Sequence, residues 1–92
     1  MLESVKKALR ISNNVFDDEV QGLIDAAKMD LEQSGVDPEV INEDDPLIKR
    51  AVTVYCKAEF GYDNPDAGRF RDSYESLKNH LSLAGDYHAS VE

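Results

Sequence analysis

A chain of 92 residues can build one modest core, and a net charge of -9, from 19 acidic against 10 basic residues, excludes a protein made to grip nucleic-acid phosphates or an anionic membrane. Its single cysteine excludes an intramolecular disulfide and a zinc site of the usual cysteine spacing, and fits a reducing, intracellular setting. No apolar run approaches the roughly 20 residues that span a bilayer, so neither export nor membrane insertion is expected.

Leu2, Val5, Ala8 and Leu9 share one helical stripe, which predicts a short helix over residues 2–11 with Lys6, Lys7 and Arg10 turned outward. The cations fall toward its C-terminal end, where the helix dipole favours them. Ser12-Asn13-Asn14 then breaks the helix, because short polar side chains compete for backbone hydrogen bonds. Asp17-Asp18-Glu19 load the next first turn with carboxylates, and Val20, Leu23, Ile24, Ala27 and Leu31 follow at the 3,4 spacing of a buried stripe, predicting a helix over 17–34. Gly35 suits the left-handed position after that helix, with Val36 folding back as its apolar partner.

The acidic segment 36–45 reads as a loop, with one turn begun by Pro38. Asp45-Pro46 is a helix start: the aspartate accepts from free amides, and proline in the first turn needs no donor. Leu47, Ile48, Ala51, Val52, Tyr55 and Ala58 give the following helix a wide apolar face ending near Gly61, as befits the central helix of the fold. Tyr62-Asp63-Asn64-Pro65 forms a turn, and Asn64 or Asp66 caps a last helix over 66–84 whose stripe is Phe70, Tyr74, Leu77 and Leu81. Residues 86–92 carry no apolar period and are expected to form a flexible tail. The whole chain, 1–92, reads as one all-α domain, a small bundle of about four helices.

Charge is unevenly spread along it. Between Asp17 and Asp45 stand eleven acids and only Lys28 as a base, whereas residues 46–92 are nearly neutral. Asp37, Glu39, Glu43 and Asp44 are therefore candidates for a negative surface or for the wall of a channel that refuses polyanions. Their spacing is not that of a metal-binding loop, and a solvated acidic surface is the plainer reading. The segment from Asp63 to Gly68 has a glycine where a calcium loop needs one, but Pro65 and Tyr74 stand at ligand positions, so that motif fails.

Catalysis by a nucleophile needs a base and an orienting group beside it. His80 and His88 fall at the end of the last helix and in the tail, separated by Gly85, and His80 reads as a solvated residue near a helix C-terminus. Cys56 lies on the apolar third helix and reads as a small core hydrophobe. No enzymatic constellation, cofactor site or metal site is expected.

Specific strings add to these periods: Leu23-Ile24 and Ala26-Ala27, Asp45-Pro46-Leu47-Ile48-Lys49-Arg50-Ala51, the run from Tyr55 to Pro65, and Tyr74-Glu75-Ser76-Leu77-Lys78-Asn79-His80-Leu81. In order and spacing they resemble the small head-tail connector family of long-tailed bacteriophages and prophages, also described as DNA-packaging or head-completion proteins. The likeness covers nearly the whole chain. It implies a helical virion protein, assembled in the host cytoplasm, whose copies form a ring below the portal, extend the DNA channel and complete the packaged head for tail joining. Its partners would be itself, the portal protein and head-completion or tail proteins, with DNA passing through without tight binding. Phe60, Tyr62 and Tyr87, at helix ends or in loops, are candidate anchors for a neighbouring subunit, although such rings equally plug the ends of their own bundle. Mutual repulsion of acidic copies would be eased by salt. The rival reading is a small acidic cytoplasmic regulator that binds a partner protein, possibly as a dimer.

Overall fold

In the computed structural model, which describes residues 1–61, 64–84 and 87, the four apolar stripes become four α-helices: α1 Leu2–Leu9, α2 Asp17–Gln33, α3 Pro46–Glu59 and α4 Ala67–Leu83. No strand occurs among the described residues beyond a single bridge residue at Val36. The protein is a small all-α bundle, 44 × 24 × 18 Å, and its thinnest dimension is less than about two helix diameters.

Helix α3 is central and packs against each of the other three. Its start is as the sequence predicts. The Asp45 carboxylate accepts from the Leu47 and Ile48 amides at 2.9 and 3.3 Å, and Pro46 fills the first helical position. Ile48, Ala51, Val52 and Cys56 are fully buried, and Val54 joins them outside the expected stripe because α4 covers that flank. Leu47 departs from expectation: it is exposed. Side chains in a helix lean toward its N-terminus, so a leucine in the first turn overhangs the end of the bundle even though Ala51, one turn on, is buried.

Helix α2 buries Val20, Ile24, Ala27 and Leu31 completely. It ends in the predicted left-handed turn: Gly35 has φ 103°, its amide donates to the Glu32 carbonyl, and the Val36 amide donates to the Leu31 carbonyl. Val36 is buried against the same core as Leu31, which is the apolar contact that accompanies this turn. Helix α1 ends two residues before its predicted limit by the same device without a glycine. Arg10 adopts φ 63° and ψ 39°, its amide donates to Lys7, and the Ile11 amide donates to Lys6. A side chain in this conformation costs about 1 kcal/mol.

Lys6, expected on the outer face, is buried. Its stem lies along apolar surface while the ammonium sits 2.8 Å from Asp17 and donates to Asn14 at 3.1 Å. The contact with Asp17 Oδ1 is ionic and lacks the alignment of a hydrogen bond.

Phe60, just past α3, meets Phe16, just before α2, edge to face at 5.5 Å, so these two helices run antiparallel. Asn64 turns the chain back by donating to the Lys57 carbonyl at 2.7 Å and accepting from the Asp66 amide at 3.0 Å. Of the two caps predicted for α4, Asn64 makes the side-chain bond and Asp66 makes none to the helix. One end of the bundle therefore carries Phe16, Phe60 and the start of α4, and the other carries the 34–45 segment, the start of α3 and the end of α4.

Candidate functional site

The acidic end is ordered by its own carboxylates. The residues of the loop form the predicted turn, Pro38–Val40, with the Asp37 side chain accepting from the Glu39 amide at 3.0 Å. Glu43 lies 3.0 Å from the N-terminal ammonium, which holds its carboxyl below the ordinary range. Asp45 caps α3. Glu39 and Asp44 are exposed, and among the described residues their carboxylates hold no hydrogen bond or ion pair. The four sequence candidates thus divide: Asp37 and Glu43 are engaged by their own chain, and Glu39 and Asp44 face outward.

The aromatic candidates also take different places. Phe60 is half-buried against the core and pairs with Phe16, beside which Val15 is 79% exposed. Tyr87 is half-buried at the acidic end, where its carbonyl accepts from the Asp37 amide at 2.8 Å and its phenol donates to Asp45 at 3.2 Å. At that residue the tail is held down, although nothing in its apolar period signals it. Tyr62, His88 and the remainder of the tail lie outside the described residues.

Two grooves were not legible in the sequence. Helices α2 and α4 flank α3 and leave between them a groove of about 400 Å³, bridged by one polar clip. The Tyr74 phenol donates to Asp30 Oδ2 at 2.6 Å, Lys78 donates to the same oxygen at 3.1 Å and to Glu75 at 3.2 Å, and Tyr55 packs edge-on against Tyr74 at 5.1 Å. Burial, and then the Asp30 carboxylate, push the Tyr74 phenol well above its ordinary value. Burial alone would lower Lys78, but its hydrogen bonds to Asp30 and Glu75 outweigh it and raise that ammonium. Both protons are held at neutral pH, so the clip ties α4 to α2 and offers neither acid nor base.

The second groove, about 370 Å³, runs between α3 and α4 on the opposite flank of α3 and is lined by Lys49, Arg50 and Lys57 around Val54 and Phe70, with no carboxylate among its lining residues. Lys57 and Arg69 lie over the Phe70 ring at 5.6 and 5.5 Å. In a chain this acidic, such a concentration of positive charge is a departure from the surrounding surface.

Reactive chemistry finds no support in the remaining groups. The Cys56 thiol is fully buried and pushed up to about 12 by desolvation, leaving almost no thiolate at neutral pH. His80 is exposed in the last turn of α4. Among the described residues no three of His, Cys, Asp or Glu are grouped to hold a metal ion, and no helix is long and apolar enough to cross a membrane.

A thin helical bundle with its polar groups set in caps, clips and ion pairs, and with contrasting charge on separate surfaces, has the features of an assembly module. The chain belongs to the phage connector protein family, whose model it matches over residues 1–88. Comparisons with curated proteins and with solved structures gave no match. Family membership makes the protein a structural component of the virion, in the head-tail connector, where it meets other head and tail proteins.

Proposed function

We propose that copies of this chain assemble into a closed ring below the portal, extending the DNA channel of the filled head and preparing it to receive the tail. The observation that carries this reading is the family match over residues 1–88. The charge supports it: a net -9 gives the wall of a channel few phosphate contacts, so DNA passes without being held. Asp37, Glu39, Glu43 and Asp44 supply part of the negative charge of the free protomer. The apolar end made by Val15, Phe16 and Phe60, together with Tyr62 and Tyr87, supplies anchors for neighbours. Assembly takes place in the host cytoplasm, and the role involves no catalysis.

Native mass spectrometry and negative-stain microscopy, over a range of protein and salt concentration with and without the portal, test this. Closed rings of identical subunits are expected, with head-to-tail interfaces. A monomer or a two-fold dimer under every condition would replace the ring with an acidic helical regulator.

A further inference from the structure

The basic groove between α3 and α4 and the acidic loop at 37–45 carry opposite charges, some of which find no partner among the described residues. Four of the other cations have partners: Lys6 with Asp17, Arg69 with Asp66, Arg71 with Glu59, and Lys78 with Asp30 and Glu75. Among the described residues Lys49, Arg50 and Lys57 have no ion-pair partner, and Lys57 lies over the Phe70 ring. In the loop the converse holds. Asp37 and Asp45 bond their own backbone and Glu43 is drawn to the N-terminal ammonium, while Glu39 and Asp44 stand exposed on one surface with half-buried Val40 between them.

We propose that the groove of one copy receives the acidic loop of a second copy, with Glu39 and Asp44 meeting Lys49, Arg50 and Lys57, and Val40 resting against Val54 and Phe70. This rests on the ring reading above and names the contact that builds it. A chain's own loop does not fill its own groove, because Asp45 is fixed as the cap of α3 and Glu43, the loop acid close enough to feel Lys49, is held by the N-terminus instead. Carboxylates suit the groove better than a nucleic acid does, since three cations are few against the phosphates of a duplex and the remaining surface of a chain of charge -9 repels it. Charge-assisted bonds from Lys and Arg to carboxylates, over an apolar floor, give register as well as attraction. Groove and loop adjoin at Pro46; made in one direction the contact is heterologous and propagates around a ring, whereas made reciprocally it closes a two-fold dimer, an outcome that overturns the ring reading.

The test compares four full-length proteins: wild type, the groove variant K49E/R50E, the loop variant E39K/D44K, and the variant carrying all four changes. Salt weakens this contact and also screens overall repulsion, so ionic strength is held fixed. Self-association is measured by sedimentation and native mass spectrometry, alone and with the portal, after thermal melts establish that each variant is folded. Each reversal is expected to weaken association at least about tenfold, and the fourfold exchange to restore it to within about threefold of wild type. Should K49E/R50E not fold, K49Q/R50Q is expected to show a smaller loss in the same direction. Rings that form equally well in the groove and loop variants overturn the contact and leave the ring reading standing. Wild type that never associates, even with the portal, overturns the ring reading and the contact with it. A groove variant that associates normally but loses binding to a short DNA duplex also overturns it, and assigns the groove to a polyanion.

Discussion

The links that carry the chain into α2 and into α3 begin alike and are secured differently. Both leave a helix through a left-handed residue with the same pair of backbone hydrogen bonds, but residues 34–45 place Gly35 there and residues 10–16 place Arg10. The second link is secured locally: Asp37 and Asp45 each accept from amides two or three residues ahead. The first has one local bond of this kind, from the Val15 amide to the Asn13 side chain at 3.0 Å, but none to an amide of the helix that follows. Phe16 precedes α2 without a side-chain bond to it, and the link is tied down by one long side chain, Lys6, reaching from α1 to Asn14 and Asp17. Caps adjacent in sequence make a junction that survives on its own, whereas a tie borrowed from another helix fails when that helix frays.

The sharpest break comes at the capped link. Asp45→Ala should lower stability by about 2 kcal/mol, the upper end for a cap, because the Tyr87 phenol loses its acceptor together with the two amides. Urea denaturation measures this, and an unchanged midpoint would show the cap to be idle. At the tied link, Lys6→Ala should cost about 1.5 kcal/mol, short of the roughly 3 to 5 kcal/mol for breaking a fully buried pair, since Asp17 keeps a side-chain exposure of 30%. Lys6→Met, which keeps the apolar stem but leaves Asp17 unpaired, should recover only part of that loss, costing about 1 kcal/mol.

Exchanging the left-handed residues tests the likeness of the two turns. Gly35→Ala should destabilise by about 1 kcal/mol, and Arg10→Gly should stabilise by about half that, in thermal or urea melts. Equal effects of either sign at both positions would mean that the turns are not equivalent. The smallest effect concerns acid. The fold lowers the Glu43 carboxyl from its ordinary value of 4.5, chiefly through the N-terminal ammonium. Its contribution is therefore present above that pH and is lost as pH falls through the lowered value. Glu43→Gln should be slightly less stable than wild type near neutrality, where the contribution is present, and should converge with wild type as pH falls below 4.5, so that its profile is flatter there.

What could be read in advance follows the same division between local and remote. Asp45-Pro46 and Gly35-Val36 were legible because a cap or a left-handed turn is decided by residues in contact along the chain. The stripes of α2 and α4 were legible because a helix repeats every 3.6 residues. Lys6 was misplaced because periodicity assigns a lysine outward and says nothing of a carboxylate eleven positions away. The early stop of α1 was hidden since arginine seldom adopts a left-handed conformation. The Asp30–Tyr74 clip joins residues 44 apart in sequence, and the groove of Lys49, Arg50, Lys57 and Phe70 exists only once α4 lies across α3. Connector membership, by contrast, was carried by strings of cap and core residues in a fixed order, and the family match agrees with it.

Cys56, alone of its kind and sealed in the core from the last turn of α3, makes the chain its own gauge of opening. A thiol reagent reaches it only in the fraction of time that the central helix parts from its neighbours, and only where desolvation no longer suppresses the thiolate. The ratio of its labelling rate in the native protein to that in urea gives the free energy of that opening without any denaturant extrapolation. Measured before and after assembly, the same ratio would show how much of the protomer's rigidity is its own and how much is conferred by its neighbours.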